Sequence, residues 1–235
     1  MKKIFTNFAC SKSVLTRTWL LVVISLFFSV SLFAATGTFS WTGGGANNNW
    51  SNTSNWSVTS GSGTYPGAGT NDIVQFSSVN AVITVDVTPG TLASITFTSS
   101  TVQFVGTVAT TQTTTATGIV SGTATVTLSA SNASIAANQE VAITSGTGTI
   151  PQYATVNSYS SGATTFTLTN NPTASNSAAS TLTFYAVAPT ITTTNCYFYN
   201  NNTVILGGAF TVSTSLDFSN STGSGSKLYL PKLSI

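Results

Sequence analysis

The chain has 235 residues, of which six are Lys or Arg, four are Asp or Glu and none is His. Ser and Thr make up about a third of it, whereas charged residues alone make up about a quarter of a typical globular domain. This excludes a nucleic-acid binder, which needs a basic stripe, a helical bundle, which needs Glu and Lys in quantity, and any chemistry built on histidine.

Residues 1–34 read as a secretory signal. Lys2, Lys3, Lys12 and Arg17 form a basic leader, Trp19 to Phe33 is an almost unbroken apolar run, and Ala34-Ala35 offers small residues for cleavage. The alternative is a retained membrane anchor, but the apolar run of about 15 residues is short of the roughly 20 a spanning helix needs. Cleavage removes four of the six basic residues and leaves Lys227 and Lys232 against Asp72, Asp86, Glu140 and Asp217, a net charge of −2. The sequence pI of about 8.6 therefore describes the precursor. Cys10 departs with the signal, so Cys196 has no internal disulfide partner. With Tyr197-Phe198-Tyr199 beside it, Cys196 reads as a small buried side chain.

Residues 35–71 are rich in Gly, Asn, Ser and Trp, and their large apolar residues are nearly all aromatic. Turn formers dominate, so this stretch must wrap its rings onto something already ordered. From Asp72 the texture changes. Ile73–Phe76, Ala81–Val87, Leu92–Phe97 and Val102–Val105 alternate apolar with polar residues, the period of half-buried strands. Residues 109–188 open on a Thr-rich linker (Thr110–Thr115) and continue with strands at Thr123–Leu128, Glu140–Ile143, Tyr153–Val156, Thr164–Leu168 and Leu182–Phe184. This close spacing predicts a small β-sandwich or barrel. Ser131–Glu140 has room for one helical turn. Residues 189–235 return to the first style, with strands at Cys196–Tyr199, Thr203–Leu206, Phe210–Val212, Leu216–Phe218 and Lys227–Leu230. The expectation is all-β. One solenoid over residues 72–108 and 189–235 is interrupted by the 109–188 module; the alternative is two unrelated β domains in sequence.

The ordered series Trp41-Thr42-Gly43, Trp50-Ser51, Asn55-Trp56, Tyr65-Pro66 and Asp72–Phe76 resembles the start of bacterial surface proteins of the autotransporter-associated β-helix repeat type. The resemblance covers residues 36–107 and, more loosely, 189–235. The 109–188 stretch looks like a repeated module of large bacterial extracellular proteins, with Asn138-Gln-Glu-Val141 where a Gly-x-x-Val is usual. The resemblance implies a parallel β-helix with an N-terminal aromatic cap, on a secreted or cell-surface protein of adhesin-like function. Such coils bury their apolar face only against neighbours, so the first coil needs a cap over its end and open edges.

Trp41, Trp50, Trp56 and Tyr65 are the candidate glycan-binding residues, since aromatic faces beside amides and hydroxyls stack on sugars. The competing reading is a plug over the solenoid end. The four acidic residues are far apart in sequence and surrounded by apolar strand residues, which gives poor support for glycoside hydrolysis or a Ca²⁺ site. With no His base, a Ser nucleophile is unsupported. Gly43-Gly-Gly45 lacks the Lys of a phosphate loop. The expected function is therefore structural or adhesive and non-catalytic, with no cofactor and no membrane span after cleavage. The alternative is a carbohydrate-binding or polysaccharide-processing accessory protein using the N-terminal aromatics. Expected partners are extracellular glycans, a host or neighbouring cell surface, or another copy through an open solenoid end. The abrupt stop at Leu230–Ile235 reads as the front part of a longer product, or as a truncated copy.

Overall fold

The structure, a computed structural model, describes residues 36–218, 226–229 and 232–234. The signal segment and its cleavage site lie outside the described residues. The described chain is all-β apart from one 3-10 turn at Thr53–Asn55. None of its helices is long and apolar enough to cross a membrane.

Strands β1 (Thr38–Trp41) and β2 (Trp56–Ser60) form an antiparallel hairpin with Trp41 opposite Trp56. Strands β3 (Ile73–Ser77) and β4 (Asn80–Thr84) follow, then β5 (Leu92–Thr98) and β6 (Thr101–Val105). In β3 the burial alternates: Val74 and Phe76 point inward while Gln75 and Ser77 face out, as the period-2 pattern requires.

Six antiparallel strands come next: β7 (Val108–Ile119), β8 (Thr125–Leu128), β9 (Glu140–Ser145), β10 (Val156–Tyr159), β11 (Thr165–Leu168) and β12 (Thr181–Tyr185). Their order is β10-β11-β8-β7-β12-β9. The two outer strands are also joined: Val156 N donates to Gln139 O at 2.8 Å and Val141 N to Ala154 O at 3.1 Å. The sheet thus closes on itself around its own apolar cluster, which includes Val126, Phe166, Leu182 and Phe184.

The last strands are β13 (Ala188–Tyr199), β14 (Thr203–Leu206), β15 (Gly208–Asp217), β16 (Lys227–Tyr229) and β17 (Lys232–Ser234). They rejoin the first strands. One sheet runs β17-β15-β13-β5-β3-β1-β2, and every neighbouring pair in it is parallel except the β1–β2 hairpin. A second sheet runs β16-β14-β6-β4, parallel throughout. The two sheets share one apolar cluster.

In-register pairing stacks like residues on like. Phe76 pairs with Phe97, and Phe97 with Phe198. Their rings stack at 5.2 Å in both steps, and Phe218 continues the column at 4.4 Å.

The corner between the two sheets repeats as well. Ser78, Ser99 and Asn200 each sit at positive φ (54°, 49° and 61°), the left-handed region that lets a short polar residue turn the chain. Ser100 and Asn202, both buried, satisfy the backbone there. Val79 N donates to Ser100 Oγ at 3.1 Å, Ser100 N to Asn202 Oδ1 at 2.8 Å, and Asn202 N to Ser226 Oγ at 3.2 Å.

The closed sheet leaves β6 and returns to β13 at almost one point. Ala186 N donates to Thr107 O at 2.8 Å. A Cβ at Gly106 would overlap Ala186 O, so only glycine permits this approach.

Two local expectations differ from the structure. The Thr110–Thr115 linker lies inside β7. Thr has good β propensity, and Thr114 is buried, its Oγ1 accepting from Ser180 N and Asn176 Nδ2 at 3.0 Å each. No helix forms in Ser131–Glu140; two turns stand there, closed by Ile135 N to Asn132 O and Gln139 N to Ala136 O. Asn132 Oδ1 accepts from Ser134 N at 3.0 Å, and an Asx turn of this kind competes with helix.

Candidate functional site

The N-terminal aromatics converge on the end of the two parallel sheets. Trp50 is fully buried, and Trp41 and Trp56 retain 8% and 7% exposure. The Trp56 ring meets Trp41 edge-on at 4.9 Å and Trp50 at 5.0 Å, and Trp50 lies 6.0 Å from Phe104. The indole nitrogens of Trp50 and Trp56 are satisfied: Trp50 Nε1 donates to Pro66 O and Trp56 Nε1 to Trp50 O, each at 2.7 Å. Tyr65 is half-buried against the same cluster. The four residues are thus brought together, with the three indole faces occupied by other rings.

The Asn-rich stretch is ordered by a side chain. Buried Asn55 donates to Asn47 O and Asn49 O at 2.7 and 2.9 Å and accepts from Gly45 N at 2.8 Å. Trp50 N then donates to Thr84 O, and Thr84 N to Asn48 O. This lays the loop along the free edge of β4, while β1 lies along the edge of β3.

Two carboxylates staple this region. Asp72 is 1% exposed and accepts from Gly37 N and Gly67 N at 2.8 Å each. Asp86 accepts from Ser51 N at 3.0 Å and Ser51 Oγ at 2.5 Å. Asp217 is the last residue of β15. Among the described residues no three His, Cys, Asp or Glu side chains cluster.

Glu140 stands apart from these. It opens β9 at the closure of the six-stranded sheet, opposite Thr155, and pairs across β12 with Tyr185. It is 2% exposed. Gln103 of β6 donates through Nε2 to Glu140 Oε1 and to Gln152 O (3.2 Å), tying the closed sheet to the four-stranded one. Glu140 Oε2 has no hydrogen-bond partner. A Cβ at Gly207 would overlap Oε2 and stand 2.7 Å from Phe104 O, so glycine makes room for the carboxyl. Burial raises its pKa from 4.5 to about 8, against the opposing hydrogen bond from Gln103. Tyr185 is raised by burial and secondarily by Glu140.

Glu140 forms part of the wall of a cleft of about 560 Å³ between the closed sheet and β14 and β16. Its floor holds Ile205, Leu206 and Leu228, and its rim Asn138, Thr155, Thr169 and Asn170. At one side the rings of Tyr153 and Tyr229 stack at 4.6 Å, 4° from parallel. The sequence reading missed this cleft. Its residues come from five separate stretches, and the only sequence signal was one Glu in a chain nearly devoid of charge.

Comparison with known proteins finds no family model, no curated protein and no solved structure that matches the chain.

Proposed function

We propose that the chain is a non-catalytic structural protein of the cell exterior, adhesin-like, built as a capped parallel β-helix that displays an inserted β-barrel module. One observation carries this reading. Strands β3, β5, β13 and β15 and strands β4, β6, β14 and β16 stack in the same order, all parallel, with the closed sheet hung between the second and third pairs. A stack of this kind gains stability by repetition and projects a long uncharged surface. Charge is nearly absent, and Thr recurs at the outward positions of β7, β8 and β11. Both features suit a permanent external surface more than a reaction site. The aromatic cluster acts as the cap, covering the first strand edges that would otherwise pair with other chains.

The test is to replace residues 107–187 with a short Gly-Ser bridge and to display the full and shortened chains on a cell surface. The shortened chain should keep its β-sheet circular dichroism and cooperative melting while losing adhesion to extracellular matrix or neighbouring cells. If it unfolds, the insertion architecture is wrong; if neither form adheres, the adhesive role is wrong.

A further inference from the structure

We propose that the cleft between the closed sheet and strands β14 and β16 is a binding site for a neutral saccharide, with the Tyr153–Tyr229 ring pair as its stacking platform. This site is distinct from the N-terminal aromatic cluster and goes beyond the display role.

The volume of about 560 Å³ lies within the roughly 300–1,000 Å³ of small-molecule sites. The lining combines the two kinds of surface a sugar ring presents. Two parallel aromatic rings and an apolar floor suit its C–H face, and amides and hydroxyls at the rim suit its edge. Tyr153 is 41% exposed, so its ring remains accessible beyond the contact with Tyr229. Asn170 Oδ1 accepts from Thr169 Oγ1 at 3.0 Å, which holds the amide in place with its Nδ2 donors left for a ligand. Thr169 is itself held by Thr155, whose backbone N–H donates to Thr169 Oγ1 at 3.0 Å. The polar rim is therefore fixed before a ligand arrives, which lowers the cost of binding.

The unpartnered Oε2 of Glu140 is a second, independent mark of a ligand. Buried polar atoms nearly always find partners, and this one stands in the wall of the cleft. Oε2 has no exposed surface of its own, so a sugar hydroxyl supplies its partner once the surrounding side chains give way. Among the described residues no Lys or Arg lines the cleft, and burial keeps Glu140 protonated near neutral pH. A charged ligand would find no counter-charge there. Between β9 and β10 an extended peptide would find no open strand edge, because the two are already joined.

The experiment is saturation-transfer NMR on the full chain with cellotriose, maltotriose, xylotriose and mannotriose, with trigalacturonate and the glucosamine trimer as charged controls. At least one neutral trisaccharide should bind and the charged ones should not. Tyr153→Ala should weaken that binding about tenfold, the scale of one stacked ring and its buried area. Tyr153→Phe should preserve it, and Asn170→Ala should weaken it at unchanged melting temperature. Retention of the chain on an insoluble polymer of the same sugar distinguishes a polysaccharide ligand from a free one. The proposal is overturned if no neutral trisaccharide binds, if charged trimers bind better, or if Tyr153→Ala leaves the binding intact. None of these results bears on the 107–187 replacement, which tests the architecture separately.

Discussion

Phe97 and Phe198 stack at 5.2 Å with their strands in register, although the whole six-stranded sheet lies between them in sequence. The contact joins the two halves of the parallel body. Phe97 is 1% exposed and also stacks on Phe76. Phe97→Ala should therefore cost about 3–5 kcal/mol, the usual penalty for emptying a buried aromatic site. Denaturant unfolding followed by circular dichroism measures it. A loss below about 1 kcal/mol would show that the column does not hold the halves together.

Asn202 supplies the acceptor for the buried Ser100 amide and donates to Tyr199 O at 2.8 Å. Asn202→Ala leaves that amide without its partner, at a cost of about 1–3 kcal/mol. Amide exchange at Ser100 should accelerate markedly in the variant, while exchange in the closed sheet stays as it was.

Stability should fall as pH rises from about 4.5 to about 8. The folded-state pKa of Glu140 is raised by burial, so the folded protein holds a proton that the unfolded chain gives up across this window. The stabilisation from the neutral form is complete below the unfolded value and is lost as pH passes the folded one. At roughly 1.4 kcal/mol per pH unit, the full effect is ~5 kcal/mol at most. Glu140→Gln should flatten this part of the profile and still accept from Gln103. A wild-type melting temperature that is constant between pH 5 and 9 would contradict the assignment.

Cys196 is fully buried and its thiol is pushed up by burial, so the reactive thiolate is scarce in the folded state. Iodoacetamide should fail to label the native protein at neutral pH and should label it fully in denaturant. Mass spectrometry of the two samples checks this.

Asp72 bridges the start of β1 and the Pro66-Gly67 turn through two backbone amides. Asp72→Ala leaves both donors unsatisfied, at a cost of about 2–4 kcal/mol. Trp50 should then become accessible to acrylamide quenching, because Pro66 O, the partner of its indole nitrogen, sits in the released turn.

Short β-branched and aromatic strands bounded by turn formers were legible in the sequence. Ile73–Phe76, Leu92–Phe97 and Val102–Val105 became β3, β5 and β6 within a residue or two. The β1–β2 hairpin was not, because its strands lie among turn formers and are stabilised by ring contacts of Trp41 and Trp56 with Phe76. Tyr153–Val156 reads as a strand, yet β10 begins only at Val156. Pro151 precedes it, and Tyr153 is drawn outward by Tyr229, a residue that local pattern cannot pair with it.

The sequence by itself determined the class of this protein: too few charges for helices or nucleic acid, and β-branched and aromatic residues at period two, which fit pleated surfaces. These are local properties, carried by each stretch of chain alone. Only the tertiary structure decided that β5 pairs with β13 across the closed sheet, and that Glu140 meets Gln103 and Gly207. Those relationships depend on register and burial between distant segments. The environment that keeps Glu140 protonated exists only after both sheets have closed around it.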